Sequence, residues 1–239
     1  MKEALDRMFG GHYSVSYMAK RVDPTIKMWH LFVAVQWLDI VWSPLILLGI
    51  EKADTQHPLP ASPINLTYMP YTHGLVAALF WSVAMYFLYR IVYGKNRNRS
   101  SALLVASAVF SHWVLDLIVH DHDLPLLGNR FKVGFGVYHS ILGSCAIEAT
   151  LLLIGLLLYM RSTQPVGGFG SRYGMPLVFC ALLLFNAISI WGPRPPSEQF
   201  VSVFNLVYYI GFATVISRVE TGRISVGKYR SDGVVTAGQ

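Results

Sequence analysis

The sequence has few charged residues. Only 13% of its 239 residues are Asp, Glu, Lys or Arg, whereas about a quarter are charged in a soluble globular domain. Hydrophobic residues make up 54% of the chain. This imbalance excludes an ordinary soluble domain and predicts an integral membrane protein.

Other common signatures are also missing. No tandem repeat, low-complexity linker or phosphate-cradling glycine loop is present, which argues against a repeat array or a P-loop nucleotide site. Residues 1–21 contain no apolar core of signal-peptide type, so we expect the first span to act as an uncleaved insertion signal. The two cysteines, Cys145 and Cys180, lie in apolar stretches and are interpreted as small core residues.

The apolar residues are grouped into six segments long enough to cross a hydrocarbon layer of about 30 Å. The predicted spans are 29–50, 71–93, 101–120, 135–160, 174–192 and 200–218. The predicted fold class is therefore an all-α integral membrane protein, a bundle of about six transmembrane helices over residues 29–219. Residues 1–28 are expected to form an interfacial segment, and residues 220–239 a flexible tail.

Lys and Arg are distributed unevenly between the two ends of these spans. Fifteen of the nineteen fall in the N-terminal segment, the second-to-third and fourth-to-fifth connections, and the C-terminal tail. The positive-inside rule therefore predicts that both termini are cytoplasmic. The net charge of +6 is that of a basic rim facing anionic lipid, so no nucleic-acid partner is expected.

The stretch from Ser111 to Asp123, SHWVLDLIVHDHD, carries ionisable residues inside an apolar run. On a helix that turns about 100° per residue, His112, Asp116 and His120 share one stripe. The outer two are about 12 Å apart along the axis, so one ion with ligands at about 2 Å cannot bind both. Either neighbouring pair can bind an ion, with other ligands from other helices. The alternative interpretation is a hydrogen-bonded polar packing seam.

Alternation of the spans brings further ionisable residues to the same outer layer of the membrane. These are His73, Asp116, His120 and His139, with His112 and Asp39 beneath them. Ionisable side chains at this depth cost several kcal/mol and usually have a function. Nitrogen and oxygen ligands without cysteine favour zinc or another divalent ion.

Neighbouring residues leave several interpretations open. Pro44 is expected to kink the first span and free a carbonyl. Glu148 is either an acid that supports the site or the partner of a buried tyrosine. Asp121 and Asp123 at the mouth either orient a bound water and attract a cation, or are simply solvated. The long loop 51–70 is expected to cover a cavity at the outer face.

Four segments together resemble a known family. They are GHYSVSYMAKR, VQWLDIVW, MPYTHG and SHWVLDLIVHDHDLPLLG, within roughly residues 10–140. They are similar to the bacterial inner-membrane family of membrane-bound metal-dependent hydrolases, which shows an N-terminal His, a Pro-Asp-x-Asp segment, a Thr-His-Ser motif and a Ser-His-x-x-x-Asp helix. This chain keeps only Asp39 of the second element, and Gly74 replaces the serine of the third.

The resemblance implies a bacterial inner (cytoplasmic) membrane protein with a metal or catalytic group. By motif, that group consists of His12, Asp39, His73, His112 and Asp116. His12 itself lies in a stretch, residues 8–24, that is predicted to form a short helix at the cytoplasmic interface. On that prediction His12 is a surface residue, on the side opposite the other four.

The first functional hypothesis is a zinc-type hydrolase acting on a lipid or lipid-linked ester, amide or phosphoester near the outer or periplasmic face. In it His73, His112 and Asp116 bind the metal, Asp39 orients a ligand or acts as general base, and His120 or His139 acts as acid. The alternative is a proton- or ion-coupled permease that uses the same ladder of Asp and His residues. A haem-binding or purely structural subunit is a third possibility, since paired membrane histidines also serve as haem ligands.

Overall fold

A computed structural model describes residues 10–57, 59–62, 64–93 and 99–226. This part of the chain is mostly helical and contains eight α-helices. They are α1 Tyr13–Val22, α2 Met28–Val35, α3 Trp37–Leu47, α4 Leu75–Tyr93, α5 Arg99–Val119, α6 Ile141–Ser162, α7 Phe169–Trp191 and α8 Glu198–Val219. The fold is thus the predicted helical bundle, with two short antiparallel strand pairs in addition. These pairs are β1 Lys52–Asp54 with β2 Asn65–Tyr68, and β3 Thr163–Pro165 with β4 Arg223–Ser225.

Among the described residues, helices α4 to α8 are each long and apolar enough to cross a membrane. The bent pair of α2 and α3 makes a sixth span if it is counted as one. In α4, Phe80, Val83 and Phe87 lie on one helical face and are exposed, as expected of a surface that contacts lipid. The chain is therefore a multi-pass membrane protein.

The two ends of the bundle differ in charge. We call the end that holds β1 and β2 the site end, and the end that holds β3 and β4 the far end. Of the Lys and Arg residues that the structure describes, nine lie at the far end and four at the site end, namely Lys52, Arg130, Lys132 and Arg194. This distribution agrees in sign with the positive-inside argument, while the orientation in the membrane stays a prediction.

The N-terminal segment departs most from the sequence prediction. Helix α1 is not at the interface but packs inside the bundle against α2, α5 and α6. Tyr13 and Tyr17 are fully buried. Gly155 of α6 permits this contact, because a Cβ there would lie 2.7 Å from the backbone oxygen of Ser14. The prediction was wrong because a short helix of mixed polarity resembles an interfacial helix, whereas here other helices surround it. Residues 1–9 lie outside the described part of the chain.

The first span is broken at Gln36 rather than at the predicted Pro44. The axes of α2 and α3 differ by 52° across the break. Gln36 has φ −108° and ψ 10°, which is not helical, whereas Pro44 lies inside α3. The carbonyl of Val35, the residue just before the break, contacts a side chain of the functional site, as described below.

Two smaller predictions also need correction. Residues 220–225, predicted as part of a flexible tail, form a 3₁₀ turn and strand β4, and Arg223 there is buried. Cys180 is exposed and Cys145 is partly exposed, so neither is a core residue. The cysteine interpretation failed because an apolar helix in a membrane turns part of its apolar surface toward lipid, so an apolar neighbourhood does not imply burial.

Candidate metal centre

Five ionisable side chains from four separate parts of the chain meet at the site end of the bundle. They are His12 before α1, Asp39 in the first turn of α3, His73 before α4, and His112 and Asp116 on α5, all of them buried. Each was a candidate from the sequence. His12, expected on the surface, reaches the group because α1 is inserted into the bundle.

Asp116 lies at the centre of this group, and its two carboxylate oxygens face different histidines. Oδ2 lies 3.2 Å from His112 Nε2 and 3.8 Å from His73 Nε2. Oδ1 lies 3.3 Å from His12 Nε2 and 4.0 Å from His120 Nε2. The predicted stripe on α5 is therefore confirmed as geometry: His112 and His120 flank Asp116 without approaching the same oxygen.

Asp39 supplies a second carboxylate. Its Oδ1 lies 3.1 Å from His73 Nε2 and 3.6 Å from His112 Nε2. Its Oδ2 accepts a hydrogen bond of 2.5 Å from the hydroxyl of Tyr209 on α8. Tyr209 thus fixes one oxygen of Asp39 and leaves the other directed at the two imidazoles.

His112 is oriented by the break in the first span. Its Nδ1 lies 2.7 Å from the carbonyl oxygen of Val35, the last residue of α2. A carbonyl can only accept, so Nδ1 carries the hydrogen and Nε2 is the atom turned toward Asp39 and Asp116. The interrupted helix therefore determines which nitrogen of His112 faces the site.

His73 is oriented through Thr72 and Glu51. The Thr72 hydroxyl donates to Glu51 Oε2 at 2.6 Å, so its oxygen accepts from His73 Nδ1 at 2.8 Å. Glu51 Oε1 also accepts from the backbone amides of Tyr71 and Thr72. Burial raises the pKa of Glu51, and these three hydrogen bonds oppose that rise. Nε2 of His73 is again the nitrogen that faces the carboxylates.

His120 follows the same arrangement at the end of α5. Its Nδ1 donates to Asp123 Oδ2 at 3.4 Å, and the same oxygen accepts from the backbone amide of Leu66 in β2 at 3.1 Å. Asp123 is buried, so the solvated interpretation does not hold for it. It connects the histidine to the loop that covers the site.

His12 is positioned from α6. The Glu148 carboxylate accepts from the backbone amide of Gly11 at 3.2 Å and from the side-chain amide of Asn186 at 3.3 Å. Glu148 therefore holds the start of α1, immediately next to His12. This role is nearer to the supporting acid than to the tyrosine partner that the sequence left open.

His139 does not join the group. It lies in a 3₁₀ turn, Val137–His139, before α6 begins at Ile141, and its side chain is 55% exposed. Its Nε2 pairs with Asp121 Oδ2 at 3.1 Å. Hydrogen bonds from the His122 backbone and from His139 lower the pKa of Asp121. The fourth span starts later than the sequence predicted, which leaves His139 at the surface.

Two trios of ligand atoms lie within 4.8 Å of one another: Asp39 with His73 and His112, and His12 with His112 and Asp116. Bonds of about 2.0–2.1 Å to a tetrahedral ion place neighbouring ligands about 3.3–3.4 Å apart. Four pair distances among Asp39 Oδ1, His73 Nε2, His112 Nε2 and Asp116 Oδ2 are 3.1, 3.6, 3.2 and 3.8 Å. Asp116 Oδ2 is buried and has no hydrogen-bond partner within the described structure. These buried groups could therefore hold a metal ion.

A small enclosed cavity borders the group. Its volume is about 20 Å³, enough for one water molecule. The loop between α3 and α4 contributes Ser62, Ile64 and Leu66 to its wall, and Trp42 and Tyr138 line it as well. The loop that was predicted to cover a cavity thus lines this one.

Glu51, Tyr209 and Asp123 are the supporting residues whose roles sequence analysis did not identify. Glu51 falls in the predicted outer loop 51–70 and is fully buried. Tyr209 has no local signal, because it meets Asp39 across 170 positions of sequence.

Comparison with protein-family models, curated proteins and solved structures gives no match to this chain.

Proposed function

We propose that this chain is a membrane-embedded metal-dependent hydrolase of zinc type that acts on a lipid or lipid-linked substrate near the site end. With the predicted orientation, that end is the outer or periplasmic face. The observation that carries the proposal is shared by His73, His112 and His120. Each has its Nδ1 held by an acceptor and its Nε2 turned toward a buried carboxylate.

This arrangement is the one found around histidines that bind metals. A metal-bound histidine almost always donates its other ring hydrogen to a carbonyl, a carboxylate or water, which fixes the ring and increases its basicity. Without a cation between them, the lone pairs of the neutral Nε2 atoms face the oxygens of Asp39 and Asp116 at distances of 3–4 Å. A divalent cation at the centre satisfies both sets of acceptors. Nitrogen and oxygen donors without cysteine favour zinc among the candidates.

The enclosed cavity supports a hydrolytic reaction. A bound divalent ion supplies Lewis-acid chemistry, which activates water near neutral pH. The chain contributes the carboxylate of Asp39, held in place by Tyr209, and a cavity of about 20 Å³ that admits one water molecule. A substrate could enter only if the loop over the cavity moved. Because this loop lies at the site end, the substrate would enter from the membrane surface.

The packing below the site favours a reaction centre over a transport path. Tyr13, Tyr17 and Phe32 fill the interior between Asp39 and the far end, and each is at most 1% exposed. Protons or ions crossing the bundle there would have to pass these close-packed rings. The permease alternative is therefore kept as an outcome of the test below.

The test compares wild type with Asp39→Asn in detergent, with zinc present and a mixed bacterial lipid extract as substrate. Wild type should contain bound metal and release headgroups or acyl chains. The variant should keep its fold and lose about 10²-fold in rate, because the charge that supports the site is gone. Asp54→Asn is the matched control, since Asp54 pairs with His57 in the exposed loop.

Two outcomes would sink this proposal. One is a purified wild type that binds no divalent metal under any loading condition. The other is wild type that releases nothing from lipids, while proteoliposomes show uptake driven by a pH gradient and abolished by Asp39→Asn. The second outcome would establish the permease.

A further inference from the structure

Oδ1 of the Asp116 carboxylate suggests a position for a second ion. Oδ2 belongs to the group with Asp39, His73 and His112, described above. Oδ1 faces away from that group, toward His12 Nε2 at 3.3 Å and His120 Nε2 at 4.0 Å. One carboxylate therefore presents its two oxygens to two different sets of imidazoles.

His112 cannot serve both sides. Two trios of ligand atoms lie close enough to hold an ion, one with His12 and Asp116 and one with Asp39 and His73, and His112 belongs to both. Its Nδ1 is committed to the Val35 carbonyl, so it has a single nitrogen, Nε2, to offer. Once His112 binds the ion on the Oδ2 side, His12 needs another partner on the Oδ1 side.

His120 belongs to neither trio, but its Nε2 approaches the same oxygen, Asp116 Oδ1, at 4.0 Å. Asp123 holds its Nδ1, and its Nε2 is directed at Asp116, as for the histidines on the other side. The rings of His12 and His112 are stacked with centroids 4.1 Å apart and planes within 9°. This parallel placement lets each Nε2 approach its own oxygen of Asp116.

We propose that the centre binds two divalent ions bridged by the Asp116 carboxylate, and that its substrate is a phosphoester of a lipid. One ion is held by Asp39, His73 and His112, and the other by His12 and His120. This inference rests on the proposed function and specifies its substrate class. It replaces the acid role expected for His120 with a ligand role.

Two ions about 3.5–4 Å apart are suited to phosphoryl chemistry, because they stabilise both the attacking and the leaving oxygen of an in-line displacement. In the hydrolysis, the oxygen of water forms a new bond to phosphorus as the bond from phosphorus to the alcohol oxygen breaks. The proton released by the water ends on the leaving alcohol, so no further reactant is needed.

The surroundings of the second position agree with this chemistry. The Oδ1 side has three protein ligands, which leaves a coordination position open, as catalytic sites require. Lys132, between α5 and α6, places its amine 3.4 and 3.2 Å from the carbonyls of Leu66 and Thr67, which belong to the loop that covers the site. A cation beside this loop favours an anionic headgroup over a neutral one.

The first experiment measures metal per chain by elemental analysis of the full-length protein loaded with zinc. Wild type should hold about two equivalents. The variants His12→Ala and His120→Gln should each fall to about one, since the Oδ2 side keeps its ligands. His57→Ala, which removes an exposed histidine, should match wild type.

The second measurement needs no variant. Wild type loaded with manganese should give the electron paramagnetic resonance spectrum of two exchange-coupled ions. One equivalent of zinc in wild type, or the spectrum of an isolated manganese ion, would overturn the inference and leave the proposed hydrolase intact. Absence of any bound metal would instead overturn the proposed function.

The substrate class is tested with vesicles of phosphatidic acid in phosphatidylcholine. The metal-loaded wild type should release inorganic phosphate or a phosphorylated headgroup, and His12→Ala should reduce that release by at least about 10²-fold. Release of free fatty acids without any phosphorus product would show a carboxylic esterase, and would overturn the phosphoester class alone.

Discussion

Both ends of the bundle contain buried charged groups, yet the two ends pair them in opposite ways. At the far end, the Lys20 amine contacts the Glu220 carboxylate and donates to the carbonyls of Pro24 and Ile26 at 2.9 and 2.5 Å. Glu220 in turn accepts from the backbone amide of Met28 at 2.7 Å. Donors and acceptors are matched there by the protein itself.

Arg223 completes the far end in the same manner. Its guanidinium donates to the hydroxyl and carbonyl of Thr163 and to the carbonyl of Ser171. These contacts tie strand β4 to the ends of α6 and α7. Lys20, Glu220 and Arg223 therefore have a structural role, since local hydrogen-bond donors or acceptors match each of them.

At the site end, carboxylate oxygens face imidazole nitrogens. Asp39 and Asp116 direct oxygens toward Nε2 atoms that carry no hydrogen as long as the rings are neutral, because Nδ1 holds it. The comparison shows that burial of charge does not by itself identify a functional site. What distinguishes the site end is that its buried carboxylates face ring nitrogens that are matched only by a proton on each imidazole or by a bound metal ion.

The largest effect on stability is expected at the far end. Lys20→Met leaves Glu220 partly buried without its cation, so we expect a loss of about 3–5 kcal/mol in the free energy of unfolding. Denaturant unfolding in detergent measures it, and metal content should stay at the wild-type value. Adding Glu220→Gln should restore much of the stability. A fall in bound metal would show that the two ends are not independent.

A smaller effect is expected for Thr72→Val, which keeps the shape of the side chain. It removes the hydroxyl between Glu51 and His73, so the orientation of His73 is no longer fixed. We expect metal affinity to fall about 10–100-fold. Competition with a chelator of known affinity measures this, and Thr67→Val is the control, because its hydroxyl contacts only the Lys52 carbonyl at the surface. Equal affinity in Thr72→Val would remove Glu51 and Thr72 from the site.

The smallest effect is expected at the start of α1. A Cβ at Gly11 would lie 2.9 Å from Glu148 Cγ, whereas one at Gly10 would meet nothing closer than 3.8 Å. Gly11→Ala should therefore displace His12 and cost about 1–3 kcal/mol, while Gly10→Ala should be tolerated. Thermal unfolding and metal content of the two variants, side by side, decide the question. Identical behaviour would mean that Glu148 does not position His12.

Local pattern was enough to predict part of the site. The i, i+4 spacing of His112 and Asp116 places them on one helical face whatever the rest of the chain does. His73 and Asp39 were found because ionisable residues in apolar spans are rare. His139 satisfied the same reasoning and is nevertheless outside the group, since the position of a helix start cannot be read to within a turn from hydropathy.

The sequence alone determined that the chain has about six apolar spans and roughly where they lie, because these depend on runs of apolar residues about 20 long. It also determined the polar stripe of α5. Only the tertiary structure decided that α1 enters the bundle, and with it that His12 meets Asp116 across more than a hundred positions. It also decided which nitrogen His73, His112 and His120 present, because the Thr72 hydroxyl, the Val35 carbonyl and Asp123 act across turns or between elements. Such contacts depend on how helices pack, and packing leaves no periodic trace in a single sequence.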